Sequence, residues 1–131
     1  IICHGVFSWV PDEVRDRILD LCAAALSDRG MAYLSYNALP GWRFRGAVRE
    51  IMMYHASFFD TPEEKIREAV GLVDFLQRLR GGASDGYSTT LREIDAKLKK
   101  SQPHYLFHEF LEPDNRAYLF HEFLTLLRER K

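Results

Sequence analysis

An apolar run, a Pro-started helix and a second apolar run fill the first 36 residues, and this order limits the possible folds more than any other feature of the chain. Ile1-Ile2-Cys3-His4-Gly5 reads as the tail of a buried strand, Pro11 opens a helix, and Met31-Ala-Tyr-Leu-Ser-Tyr36 reads as a second strand. Together they make a βαβ unit whose front is expected to lie ahead of Ile1. A strand this short and apolar cannot stand alone, because its backbone groups need partners and its faces need cover. The chain therefore reads as a fragment of a larger α/β protein.

The helix between the two runs is well marked. Pro11 suits its first turn, Asp12 and Glu13 complement the positive end of its dipole, and Val14, Ile18, Leu21, Cys22 and Ala25 form one stripe. It stops at Asp28-Arg29-Gly30, and the second strand ends in the turn signal Asn37-Ala-Leu-Pro40-Gly41. A helix of about 16 residues between two apolar strands predicts a right-handed parallel crossover.

After Trp42 the periodicity is helical, and no convincing strand returns. Phe44, Ala47, Val48, Ile51, Met52, His55 and Phe58 or Phe59 recur at three- and four-residue steps, an aromatic-rich stripe that reads as core. Asp60-Thr61-Pro62-Glu63-Glu64 predicts a capping box, with Thr61 as cap, Pro62 first in the helix and Glu64 closing the box. That helix buries Ile66, Ala69, Val70, Val73 and Leu76 and ends at Gly81-Gly82. Ala83 to Gly86 reads as an exposed loop. Leu91, Ile94 and Leu98 mark a shorter helix, closed by the solvated Lys97, Lys99 and Lys100.

The heptapeptide Tyr-Leu-Phe-His-Glu-Phe-Leu occurs twice, at 105–111 and 118–124. Two copies are too few for a solenoid, and they read as two similar local solutions. His108, Glu109, His121 and Glu122 could supply metal ligands, but adjacent His and Glu point to different faces of a helix and neither copy has the HExxH spacing. The preferred reading is of satisfied, partly buried histidines and no metal. A closing helix from about Leu119 to Arg130 buries Phe120, Phe123, Leu124 and Leu127, with Arg128-Glu129-Arg130-Lys131 as solvated surface.

Charge and cysteine content narrow the function classes. A net charge of −1 gives no long-range attraction to nucleic acid or an anionic membrane, although Arg43 and Arg45 flank Phe44 in a small basic cluster. Cys3 and Cys22 read as small buried hydrophobes in a reducing compartment. No stretch approaches the about 18 apolar residues of a membrane span and no signal peptide is visible, so a cytoplasmic protein is expected. The fold class that results is mainly α with a short parallel α/β remnant.

His4-Gly-Val-Phe-Ser-Trp-Val-Pro11, followed at helix distance by Gly30-Met-Ala-Tyr-Leu-Ser-Tyr-Asn-Ala-Leu-Pro-Gly-Trp42, resembles the second half of a class I S-adenosylmethionine-dependent methyltransferase. The segments 54–69 and 105–123 resemble the methyltransferase regulatory domain family, found fused behind such a catalytic domain. The resemblance implies that residues 1–42 are the last strands of a Rossmann-like methyltransferase sheet and that 43–131 are a helical regulatory domain. It also implies S-adenosylmethionine as cofactor and the upstream half of the methyltransferase domain as partner, with the methyl acceptor open.

In such enzymes cofactor and substrate meet at the carboxyl ends of the strands. If residues 1–3 are the fourth strand and 31–36 the fifth, His4 and Gly5 lie beside the cofactor. Tyr36 and Asn37 join His4 as catalytic candidates, and Trp9 and Trp42 wall the substrate pocket. Methyl transfer is a displacement at a carbon on a sulfonium, so such a site needs alignment and an aromatic or polar lining more than a metal. His4 could act as general base toward a hydroxyl or amine, or simply hydrogen-bond a strand end.

One departure from the pattern bears on activity. The chain has no counterpart of the Gly-rich loop after the first strand or of the acidic residue that holds the ribose, and Gly81-Gly82 does not follow a strand. Alone, the chain is expected to bind S-adenosylmethionine poorly or not at all and to be inactive. A helical regulatory or protein-interaction module without catalytic role is the alternative. Unpaired strand edges also make a homo-oligomer expected.

Overall fold

The computed structural model describes residues 1–130, and the chain divides into two compact units. The first joins Ile1–Trp42 to the segment from Pro113 onward, and the second is Arg43–Glu112. The described residues are mostly helical and form two small parallel sheets. No helix among the described residues is long and apolar enough to cross a membrane.

In the first unit, β1 (Ile2–Cys3) and β2 (Tyr33–Leu34) pair in parallel, with Ile2 opposite Tyr33 and Cys3 opposite Leu34. Helix α1 (Asp12–Ala25) connects them, as the order of apolar runs predicts. The strands are shorter than the runs, and β1 is not buried: Ile2 is 81% exposed and Met31, ahead of β2, is 85% exposed. Two strands alone leave a bare face on each side, and the described residues cover only the Cys3–Leu34 side.

Helix α1 also turns a different face inward. Arg15, Leu19 and Cys22 are buried, whereas Val14 and Leu21 are exposed. The inward rotation follows from Arg15, whose guanidinium donates to the Val10 carbonyl and, through Nε, to Asp12 Oδ1 at 3.1 Å. Leu19 then meets Phe7, Tyr118 and Phe123 in the core, against which Ile18, Tyr36, Leu126 and Leu127 pack.

The expectation that no strand follows Trp42 is overturned. β3 (Asn37–Ala38) pairs in parallel with β4 (Ala117–Tyr118), inside what reads as a turn and a repeat. Helix α6 (Phe120–Arg128) follows β4 and buries Phe123, while Phe120 is exposed. Arg130, read as free surface, donates to Asp16 and, at 3.3 Å, to Asp20 of α1. Lys131 lies outside the described residues.

The second unit is helical. Trp42 begins α2 (Trp42–Ala56), which buries Val48, Arg49, Met52 and Ala56 and leaves Phe44 exposed, as is Phe58 beyond its end. Helix α3 (Pro62–Arg80) starts with the predicted capping box, Glu64 N–H on Thr61 Oγ1 and Thr61 N–H on Glu64 at 3.2 Å each. It ends at Gly81, whose φ of 53° suits a residue without Cβ. Helix α4 (Gly86–Leu98) begins one residue after Asp85, which caps it by accepting from Ser88 N–H at 3.0 Å. Gly86 therefore belongs to a helix and not to a loop. Ala69 and Val73 of α3 join Val48, Met52 and Ala56 of α2 and Leu91, Ile94 and Leu98 of α4 in the core.

The repeat copies are not alike. Residues 105–111 run through α5 (Pro103–Leu106) into a π-helical turn, Phe107–Leu111, and bury Leu106, Phe110 and Leu111. In 118–124 the same letters give a strand end, a cap at Leu119 and the start of α6. Glu109 pairs with Lys97, whereas Glu122 accepts from the Leu119 N–H at 2.8 Å. His108 and His121 are both exposed, not partly buried.

Candidate functional site

The carboxyl ends of β1 and β2 open onto one neighbourhood in the first unit. His4 follows β1, is exposed, and lies with its ring 5.9 Å from that of Tyr33. Gly5 has φ of 69°, and its N–H donates to Ser35 Oγ at 2.7 Å, which ties the two strand ends together. A Cβ built at Gly5 would have no atom within 4 Å, so the backbone there is open to close approach.

Ser8 organises the next layer. It is 2% exposed; its Oγ accepts from the Asn37 N–H at 2.8 Å and its carbonyl accepts from the Arg116 N–H at 2.8 Å. These bonds bring the turn after β1, strand β3 and the segment before β4 into contact. Trp9, adjacent in sequence, sits edge-on to Trp42 with centroids 5.9 Å apart and an interplanar angle of 84°. The Trp42 indole N–H donates to Asn115 Oδ1 at 3.1 Å.

Tyr36 is held elsewhere. Its ring stacks on Phe123 at 4.1 Å and 23°, and it meets Tyr118 edge-on at 6.2 Å. A ring stacked on the core of its unit acts as a wall, and its place argues for positioning over chemistry. Trp9 and Trp42 are thus brought together, Asn37 is joined to their layer through Ser8, and His4 with Gly5 stands at the strand ends.

Three residues in this arrangement escape a reading of the sequence: Ser8, Ser35 and Asn115. The two serines sit within recognised segments but look like ordinary polar positions. Asn115 comes from the loop between the repeats, and only the β3–β4 pairing brings it near Trp42. No short-range pattern signals that pairing.

A second feature of this unit is an ionic cluster. Asp12 accepts from Arg15 and, at 2.8 Å, from Arg116. The Arg15 guanidinium, through its hydrogen bond and charge, holds the Asp12 carboxyl below the usual carboxylate range, with Arg116 adding to it. Burial pushes the Tyr118 phenol above its ordinary value, and Arg116 lies over its ring. A cavity of about 310 Å³ lies among Phe7, Arg15, Leu19, Tyr118 and Leu126. Its charges are mutually paired, so it reads as a structural seam. Burial likewise raises the Cys3 thiol, with Cys22 adding to it; both cysteines are free. Among the described residues no three His, Cys, Asp or Glu side chains are grouped to hold a metal ion.

No family model matches the chain. It is 41% identical over 115 residues to the uncharacterized protein RP789 of Rickettsia prowazekii (strain Madrid E), a match covering 88% of this chain and 21% of that protein. To the uncharacterized protein RP028 of the same organism it is 37% identical, over 85% of this chain and 44% of the relative. The uncharacterized protein sll1526 of Synechocystis is 26% identical over 87% of this chain and 22% of its own length. The chain thus spans between about a fifth and under half of the curated relatives it matches. Among solved structures it is similar to PKMT2 from Rickettsia typhi, with a TM-score of 0.74 and 34% identity over 99% of this chain and 24% of that one. It is similar also to PKMT2 in complex with AdoHcy, with a TM-score of 0.75.

Proposed function

We propose that the chain is part of an S-adenosylmethionine-dependent methyltransferase acting on protein lysine, with residues 1–42 as the end of its catalytic domain and 43–131 as its helical regulatory domain, whose last segment, from Pro113, returns to the first unit. The observation that carries this reading is the similarity to PKMT2, a name that abbreviates protein lysine methyltransferase, over nearly all of this chain and in a complex with AdoHcy. AdoHcy is what S-adenosylmethionine becomes once its methyl group has left.

The first unit supports the reading from its own surface. Helix α1 is apolar on two sides: Leu19 and Cys22 are covered, and Val14 and Leu21 are not. Beside it β1 exposes Ile2 and β2 exposes Tyr33. A helix and a parallel strand pair that are both apolar on a second side suit the interior of a wider sheet, where further strands and helices cover them. The upstream half of a methyltransferase domain would supply that cover.

When bound, S-adenosylmethionine supplies an electrophilic methyl group on a sulfonium. The residues present suit the acceptor end of such a site. His4, exposed at the end of β1, can take the proton that a lysine ammonium must lose before its nitrogen can attack. The open backbone at Gly5 allows close approach, and the Trp9–Trp42 pair offers an aromatic wall for an aliphatic amine. The residues do not suit the ribose end: segments 1–11 and 30–42 contain no Asp or Glu. The ribose anchor would come from elsewhere in the longer protein. Free thiols accord with action in the cytoplasm.

Isothermal titration of S-adenosylmethionine into this chain, beside the full-length protein that contains it, tests the reading. Binding to the longer protein alone is the expected result. Binding to neither would replace the reading with that of a helical interaction module. In the longer protein His4→Ala should lower kcat by about 10²-fold or more if His4 is the base. An unchanged kcat would reduce His4 to a strand-end residue.

A further inference from the structure

Asn37 and Asn115 bring two unmet donors into the layer that Ser8 organises. The side-chain amide nitrogen of each is buried and has no acceptor among the described residues. For Asn115 the orientation is fixed. Its Oδ1 accepts from the Trp42 indole N–H at 3.1 Å, and an indole N–H only donates, so the amide nitrogen must face the other way.

Both amides belong to the first unit. The Asn37 N–H donates to Ser8 Oγ, and the Ser8 carbonyl accepts from the N–H of Arg116, the residue after Asn115. In the parallel β3–β4 pair Asn37 stands opposite Ala117, two residues beyond Asn115. Trp9 and Trp42 line the same layer edge-on to each other, and both are half-buried, so their rings reach the surface.

A buried donor without an acceptor destabilises a fold, and a layer that carries two of them is matched to a ligand that brings acceptors. The donors select its chemistry. Amide N–H groups are neutral, and the guanidinium of Arg116, the cation next to Asn115 in sequence, is engaged by Asp12 at 2.8 Å. A carboxylate would enter as an uncompensated buried charge, whereas a main-chain carbonyl brings a neutral oxygen with lone pairs to spare. Entry requires the indoles to part. One edge-on ring contact is worth less than two unmet buried donors cost, so the exchange is favourable.

We propose that Asn37 and Asn115 are a carbonyl-binding pair that holds the main chain of the acceptor polypeptide beside its target lysine once Trp9 and Trp42 part. The pair rests on the lysine methyltransferase reading above and adds how a lysine within a polypeptide is told from a free amine.

Isothermal titration of the full-length protein with poly-L-lysine and with polyallylamine tests the proposal. Both polymers carry primary ammonium groups, but only poly-L-lysine has carbonyls. The wild type should bind poly-L-lysine about tenfold more tightly per amine. Asn37→Leu and Asn115→Leu should each cut that ratio about threefold, by removing one donor group. Asn115→Asp keeps an acceptor for Trp42 and removes the amide N–H groups; its added charge acts on both polymers alike, so the ratio should fall as far as in Asn115→Leu. A ratio preserved by Asp would leave Asn115 as a support for Trp42 alone and overturn the pair. So would equal binding of the two polymers by the wild type, a result that needs no variant to fold, or a wild-type ratio in the Leu variants, as a buried water on the amides would give. S-adenosylmethionine titrated into the same samples separates the failures: cofactor binding without the ratio sinks the pair alone, and no cofactor binding sinks the reading beneath it.

Discussion

Ser8 Oγ accepts the backbone N–H of Asn37 at 2.8 Å, from a side chain that is 2% exposed. The bond links the turn after β1 to the first residue of β3, and the Ser8 carbonyl extends the link to Arg116. Ser8 therefore sets the spacing of the layer that holds Trp9, Asn37 and Asn115. Replacing it by Ala leaves the Asn37 N–H unpaired in a place water reaches poorly. Ser8→Ala should cost about 1–3 kcal/mol in urea unfolding. It should also shift tryptophan fluorescence, since both tryptophans of the chain lie in that layer.

Asp85 gives a prediction in pH. Its carboxylate caps α4 through the Ser88 N–H and, with the Arg80 pair adding to this, its pKa falls to about 2. A carboxyl with a depressed folded pKa stabilises the native state above its unfolded value and loses that contribution as pH falls through the folded one. Asp85→Asn should therefore lower the Tm at neutral pH, and the difference from wild type should fade between about pH 4 and pH 2. A difference that persists unchanged at pH 2 would mean that the cap, not the charge, carries the effect.

What the sequence discloses and what it conceals divide along the range of the interactions involved. The β1–α1–β2 order and the capping box at Thr61 rest on contacts within one element or its neighbours, and periodicity and cap chemistry report these directly. The apolar stripe of α1 points to the wrong face because a long Arg15 stem competes for the interior, and hydrophobicity alone does not register an arginine that spends its guanidinium on Val10 and Asp12. The β3–β4 pair joins Asn37 to Ala117, and neither two-residue strand has an alternation long enough to detect. Within the candidate site, Trp9 and Trp42 could be singled out as large aromatics near strand ends, but Asn115 reaches Trp42 only through that hidden pairing.

The twin heptapeptides separate context from sequence. Phe110 and Phe123 hold the same place in each copy and are 4% and 7% exposed, whereas the matching Phe107 is half-buried and Phe120 is 67% exposed. Phe110→Ala and Phe123→Ala should each cost about 3–5 kcal/mol. Phe120→Ala should stay within about 0.5 kcal/mol of wild type, and Phe107→Ala should fall between. Equal losses at Phe107 and Phe120 would mean that the two copies are packed alike, against the helix in one and the strand end in the other. Chemical denaturation of the four variants decides it.

Lys97 and Glu109 join α4 to the π-helical turn, with Nζ 2.6 Å from Oε1 and the ammonium 5.2 Å from the centre of the Tyr105 ring. Burial opposes the charge on Lys97, but hydrogen bonds to Glu109 and Tyr105 outweigh it and raise the ammonium pKa above its ordinary value. A raised cation is a stabilising one below its unfolded pKa, and the contribution disappears as pH climbs through the folded value. Lys97→Met keeps the stem against Phe110 and removes the charge, so it isolates the ionic part. With side chains 31% and 15% exposed the pair is partly screened by solvent, and that part is worth about 1 kcal/mol. Glu109→Gln should cost a similar amount, and the double variant less than the sum of the two, because the partners share one interaction. The loss in Lys97→Met should be constant from pH 6 to 9 and shrink above about pH 10.5. A loss that is already smaller at pH 8 than at pH 6 would show that a group other than Lys97 governs the contact.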